Sequence, residues 1–177
     1  TDGGSKQNST TFRFSGGSYS KGQTSITHNN QNGNWRYGIN TMARTSNGHR
    51  FNADNQTGRL RTYLRYGDQK GRTYRLSHII SYSDIGHPGF NSSPSYRKSK
   101  RLSQYLQGHG FYPLSNGLSM SHSIFINDFN TLYFHRDDIP EDYKDTVKTS
   151  YDDLTIGYRS EILITKFARW IMMIGTD

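Results

Sequence analysis

The chain has 177 residues, 31% of them hydrophobic and 14% aromatic, with no cysteine and a formal net charge of +8. A mean hydropathy of −0.89 leaves a globular domain of this length little to bury, while 13 tyrosines, 9 phenylalanines and regular turn signals are foreign to a disordered chain. The lack of cysteine excludes a disulfide scaffold and a thiolate metal site, and no apolar run reaches the ~20 residues of a transmembrane helix.

Two candidate strands, Thr11 to Ser18 and Gln23 to Asn30, lead to a short turn at Gln31 to Gly33. There Asn32-Gly33 supplies the positive dihedral angles of a tight primed turn. In the next segment Trp35, Tyr37, Ile39, Thr41 and Ala43 alternate with Arg36, Gly38, Asn40, Met42 and Arg44, the period of two that gives a strand two unlike faces. A longer connection, Thr45 to Asn55, precedes a strand with Leu60, Thr62, Leu64 and Tyr66 against Arg59, Arg61, Tyr63 and Arg65. After the tight turn Asp68 to Gly71 comes the clearest alternation, Tyr74, Leu76, His78, Ile80 and Tyr82 against Thr73, Arg75, Ser77, Ile79 and Ser81. Its roughly ten residues suffice for a tilted strand to cross a bilayer. The long loop Asp84 to Arg101 leads to Leu102 to Tyr112, which Gly108, Gly110 and Pro113 interrupt. A tight turn at Ser115 to Gly117, again built on Asn-Gly, opens Leu118 to Phe134. The long loop His135 to Thr149, Leu154 to Leu163, a break at Thr165 and Lys166, and Arg169 to Gly175 complete the series.

Short and long connections alternate along this series. The expectation is an all-β fold: an antiparallel up-and-down meander of the outer-membrane β-barrel type with about nine strands. Residues 1–177 then form one partial or small β-barrel domain of the bacterial outer membrane, with periplasmic short turns and extracellular long loops. Low hydrophobicity suits a barrel wall, where only alternate residues meet lipid. Tyr74, Leu76, Ile80 and Tyr82 are expected to face lipid, and Arg75, Ser77 and Ser81 the lumen. Trp35, Tyr66, Tyr82, Tyr112 and Trp170, at strand ends, suit interfacial girdles. Arg59, Arg61, Arg65, Arg72 and Arg75 form a basic stripe read as a solvated lumen face that attracts anions, not as a nucleic-acid footprint. Arg97, Lys98, Lys100 and Arg101 are a second patch, placed to pair with lipopolysaccharide phosphates.

Catalytic and metal chemistry finds little support. His28, His49, His78, His87, His109, His122 and His135 have no zinc-ligand spacing. Ser121 and His122 are adjacent on a strand and point to opposite faces, so with Asp128 they do not make a triad. Asp137, Asp138, Glu141, Asp142 and Asp145 lack the spacing of a calcium loop. Gly16-Gly17 and Gly108-His109-Gly110 lack that of a phosphate loop. No enzyme activity, cofactor or metal is expected. His78 and His122 interrupt apolar rows, so these rows place them at a membrane interface or face the lumen.

The run Arg75-Leu76-Ser77-His78-Ile79-Ile80-Ser81-Tyr82-Ser83-Asp84-Ile85-Gly86-His87-Pro88-Gly89 resembles a strand and following loop of TonB-dependent outer-membrane receptors. Phe14-Ser15-Gly16-Gly17-Ser18-Tyr19, Asn34-Trp35-Arg36-Tyr37-Gly38-Ile39 and Arg44-Thr45-Ser46-Asn47-Gly48-His49-Arg50 resemble the early barrel hairpin of that family. Tyr158-Arg159-Ser160-Glu161 with Arg169-Trp170 and Ile174-Gly175-Thr176-Asp177 resembles a later hairpin. The resemblance implies a barrel of twenty-two strands with an N-terminal plug that imports a scarce ligand, such as a ferric siderophore or cobalamin. It makes this chain an early barrel portion, whose contact with TonB would run through a plug it does not contain. Outer-membrane lipid, lipopolysaccharide and a small-molecule or metal-chelate ligand are the expected partners. Arg50, Phe51, His87, Phe90 and Tyr96, on the long loops, are the candidate ligand contacts. The alternatives are a self-standing small outer-membrane barrel acting as adhesin, structural protein or lipid-modifying enzyme, and a secreted carbohydrate- or nucleic-acid-binding β-protein.

Overall fold

The structure, a computed structural model, describes residues 8–90, 93–94, 97–135, 148–167 and 170–176. In chain order the strands are β1 (Asn8–Gly17), β2 (Lys21–Asn32), β3 (Trp35–Ser46), β4 (Asn55–Gly67), β5 (Thr73–Gly86), β6 (Gly89–Phe90), β7 (Ser93–Pro94), β8 (Arg97–Ser115), β9 (Leu118–His135), β10 (Thr149–Phe167) and β11 (Trp170–Thr176). Eight of them, β1 to β5 and β8 to β10, make one antiparallel meander in which each strand pairs with the next. β11 runs antiparallel beside β10, and β6 with β7 forms a minimal hairpin inside the β5–β8 loop. No helix occurs among the described residues. The sheet is open: β1 and β11 are its two edges.

The connections fall where the turn chemistry puts them. Gly33 and Gly117 adopt φ of 58° and 76°, the left-handed region that glycine enters without a Cβ clash. Asp68 closes the third short turn: its Oδ1 accepts from Lys70 N and Arg72 N, both at 2.9 Å, and Oδ2 accepts from Arg72 Nε at 2.6 Å. These three turns share one end of the sheet. The Ser18 to Ser20 turn, the Asn47 to Asp54 loop and the β5–β8 loop occupy the other, as the expected sidedness requires. The Asp137 to Asp145 part of the last long loop lies outside the described residues.

Register fixes the faces, because directly paired residues share one. Even positions of β1, β2, β4, β5, β8, β9 and β10 and odd positions of β3 lie on the first face. One row reads Tyr37, Leu64, Leu76, Gly108, Ile124, Tyr158 and the next Ile39, Thr62, His78, Leu106, Ile126, Ile156. Leaving aside Leu114 at the bulge after Pro113, every exposed large apolar side chain described within the strands lies on this face, except Tyr133 and Tyr151 at the long-loop end of the second. The expected division of Tyr74, Leu76, Ile80 and Tyr82 from Arg75, Ser77 and Ser81 is therefore present in the sheet.

Among the described residues no second layer covers either face. The accessible surface is 13042 Å², against about 8,800 Å² for a folded globular monomer of this mass. Close packing occurs in small spots, among them Tyr63 over Gly38, Phe125 over Gly157 and Asn52 against Gly86. Rings laid over strand glycines restore the surface those residues lack.

Strands extend past their expected ends. β8 runs from Arg97 through Gly108, Gly110 and Pro113 to Ser115, absorbing Pro113 at a register shift. β5 reaches Gly86, so the loop expected from Asp84 begins later. β10 continues to Phe167, and the break expected at Thr165 and Lys166 is a register shift in its pairing with β11 between Ile164 and Phe167. Polar residues such as Lys98 and Asp152 remain in strand because the neighbour's hydrogen-bond ladder continues beyond the apolar stretch.

Candidate functional site

The first candidate is the loop end. Arg50 and Phe51 are exposed in a tight turn closed by the Ala53 N to Arg50 O bond of 3.2 Å. Asn52 follows, 3% exposed and at φ 55°, a conformation that asparagine tolerates better than most residues. Its Nδ2 donates to His87 O at 3.2 Å and to Arg97 O at 2.7 Å. Gly86 N donates to Asp54 O at 2.9 Å, and Lys98 Nζ pairs with Asp54 Oδ2 at 2.6 Å. One asparagine and one aspartate thus lash the β3–β4 loop to both ends of the β5–β8 loop. Of the expected contacts, Arg50, Phe51 and His87 come to this one end; His87 holds Ser99 Oγ at 3.0 Å and stacks on Tyr133. Phe90 lies in β6, and Tyr96 falls outside the described residues.

Asn52 had no part in the sequence reading. Its only signal was an asparagine flanked by Phe51 and Ala53 in a long loop, and that does not reveal burial.

The second candidate is the polar face. Arg36, Arg65 and Arg75 are paired directly across β3, β4 and β5, with Arg61 and Arg59 following along β4 on the same face. All five are exposed. The row continues through His109 and Ser123, joined by a 2.9 Å hydrogen bond, to Arg159, which pairs with Glu161 at 2.7 Å. Among the described residues the carboxylates of this face are Asp153 and Glu161, both on β10. Arg72, counted with the stripe in sequence, is instead in the Asp68 turn.

The second basic patch divides. Lys98 and Lys100 lie on the apolar-face side and are paired with Asp54 and, at 3.8 Å, Asp84. Arg101 lies on the other side, over the Phe129 ring and 3.3 Å from Thr131 Oγ1. Ser121 and His122 also separate: Ser121 Oγ donates to Glu161 Oε2 at 3.4 Å, while His122 Nδ1 is 2.6 Å from Tyr158 OH across the other face.

The apolar face carries a chain of rings at the short-turn end. Trp35 meets Tyr66 at 4.8 Å between centroids, Tyr66 meets Tyr74 at 6.1 Å, and Tyr74 meets Tyr112 at 5.5 Å. His122 and Tyr158 continue it at 6.1 and 5.9 Å. Of the aromatics expected at strand ends, Trp35, Tyr66 and Tyr112 belong to this chain and Tyr82 stands at the opposite end of β5. The side chain of Trp170 lies outside the described residues. A search of protein-family models, of curated proteins and of solved structures finds no match to this chain.

Proposed function

We propose that this chain is a wall segment of an outer-membrane β-barrel, its apolar face toward lipid and its arginine-bearing face toward a water-filled lumen. The observation that carries the reading is the division of the sheet into one exposed apolar face and one arginine-bearing face. On β1 the apolar residues are Phe12 and Phe14, while Asn8 and Thr10 on the same face are polar. On β9 they are Leu118, Met120, Ile124 and Ile126 and, past the polar Asp128 and Asn130, Leu132 and Phe134. Straight across the register Phe12 meets Asp128, through Ile26, Thr41, Leu60, Ile80 and Gln104. Between these strands the band runs level with the register: Trp35, Tyr66 and Tyr74 share one row, and Ala43, Gly58, Tyr82 and Leu102 share another. An apolar face of this kind, backed by an arginine-bearing one, is what a barrel wall between lipid and water requires.

The lengths suit a bilayer. From Tyr74 to Tyr82 the band covers about 27 Å of strand, bounded by an aromatic at each end, while β8, β9 and β10, of 19, 18 and 19 residues, project beyond it at the long-loop end. His122 sits among the rings of the short-turn end, a position suited to an interface. His78 sits mid-band between Thr62 and Leu106. Among the described residues β1 and β11 are each paired on one side only, and a wall in lipid requires both edges to be paired. Within that frame the receptor-type transport barrel, TonB-dependent as the sequence resemblance suggests, is the reading adopted, with the Asn52-tied loop end facing outward for the ligand.

The test is fractionation and extraction of the protein from a Gram-negative host. Recovery with the outer membrane, release only by detergent and a mobility on gels that changes on heating are the expected results. A protein that stays in solution without detergent and keeps its strand signal overturns the wall assignment.

A further inference from the structure

We infer that Arg36, Arg65 and Arg75, with Arg61 and Arg59 continuing along β4, form a binding track for a small polyanion whose phosphate or carboxylate groups stand about 5 Å apart. This inference rests on the polar face being open to water, as the wall reading has it.

Three arginines directly opposite one another across adjacent strands repel, because like charges in register destabilise a sheet. Guanidinium groups keep their charge at any physiological pH, so the repulsion is not relieved by proton loss. The fold neutralises its other cations where it can: Arg72 with Asp68, Lys98 with Asp54, Lys100 with Asp84, and Arg159 with Glu161 at the far end of the same row. On β3, β4 and β5 no carboxylate shares the arginine face. The row also has shape. Arg36, Tyr63, Arg65, Thr73, Arg75 and His109 line a hollow of about 380 Å³, and on the turn side Gln31, Asn34, Arg36 and Arg65 border a second of about 260 Å³. Backbone spacing of ~4.8 Å between strands puts three planar forks over about 10 Å, the reach of two or three linked anionic groups. Tyr63, whose hydroxyl donates to Asn29 Oδ1 at 3.0 Å over Gly38, forms one wall of the first hollow.

Tripolyphosphate serves as the probe, titrated calorimetrically into the full protein folded in detergent. Saturable binding is expected, weakened at least about tenfold by Arg36→Gln with Arg75→Gln. Arg13→Gln with Arg44→Gln removes the same charge elsewhere on this face and should weaken it less than about threefold. The melting temperature supplies a second readout: in low salt without the probe, the Arg36→Gln/Arg75→Gln protein should melt above the parent, and the probe should no longer raise it. Equal weakening by both pairs would reduce the track to diffuse positive charge, and folded protein without saturable binding overturns it while leaving the wall reading in place. Saturable, Arg36- and Arg75-dependent binding by a protein soluble without detergent supports the track and overturns the wall.

Discussion

At the scale of the residue, two side chains govern how the connections hold, and both act through hydrogen bonds to backbone. Burial raises the Asp68 carboxyl, but the Arg72 amide and guanidinium and the Lys70 amide outweigh it, and the group lies below its ordinary value of 3.8. A lowered folded value means that its contribution is fully present above pH 3.8 and is lost as pH falls through the folded value. Asp68→Asn should therefore remove part of the acid limb of the unfolding profile and leave the profile above neutrality nearly parallel to the parent; an unchanged acid limb, followed by strand circular dichroism, would contradict this. Asn52 is the second. Replacing it with Ala takes the side-chain donor from the His87 carbonyl, leaves the Arg97 carbonyl with the His87 amide, and removes the residue that tolerates φ 55°, which should cost about 1–3 kcal/mol. Proteolysis should then cut first in the β3–β4 or β5–β8 loop, and a digestion pattern identical to the parent's would show the tie to be dispensable. None of this was legible in the sequence beyond the turn at Asp68, because a buried asparagine is recognised by its distant carbonyl partners, 35 and 45 residues away.

At the scale of the element, alternation made most strands readable. Trp35 to Ala43 and Tyr74 to Tyr82 fall inside β3 and β5 with the expected faces. What alternation missed were the strand ends, where polar residues such as Lys98 to Arg101 stay paired because the neighbouring strand continues. It also could not foresee the rings over glycines, since Tyr63 reaches Gly38 from the next strand. A methyl group added at Gly38 meets both Tyr63 and Asn29, so Gly38→Ala should destabilise by about 1–3 kcal/mol, more than the same change at Gly33's open turn does by packing. The face assignment is tested by a pair of neighbours. Ile80→Arg places a charge on the apolar band and should lower the free energy of folding into vesicles by about 2–4 kcal/mol, while Ser81→Arg joins the arginine face and should cost much less. Equal refolding yields for the two variants would return the sheet to a water-soluble account with one dry side.

At the scale of the whole molecule, the meander and the sidedness of its loops followed from connection lengths, whereas a tilt against a membrane is read from no single strand. It is an expectation of the wall reading, since strands of a closed barrel lean by about 35–45° from its axis. Two geometries then make opposite statements about depth. If depth followed the register, Phe12 and Asp128 would sit at one depth and Asn8 and Ile124 at another, since each pair lies in one row. With the strands tilted by about 35°, Phe12 and Ile124 share the hydrocarbon, and Asn8 and Asp128 leave it at opposite ends. In protein with Trp35→Phe and Trp170→Phe, single tryptophans at these four positions report depth through quenching by brominated lipids. Strong quenching is expected for Phe12→Trp and Ile124→Trp and weak quenching for Asn8→Trp and Asp128→Trp. Quenching that groups Phe12 with Asp128, or Asn8 with Ile124, removes the tilt and with it the reading of this sheet as a barrel wall.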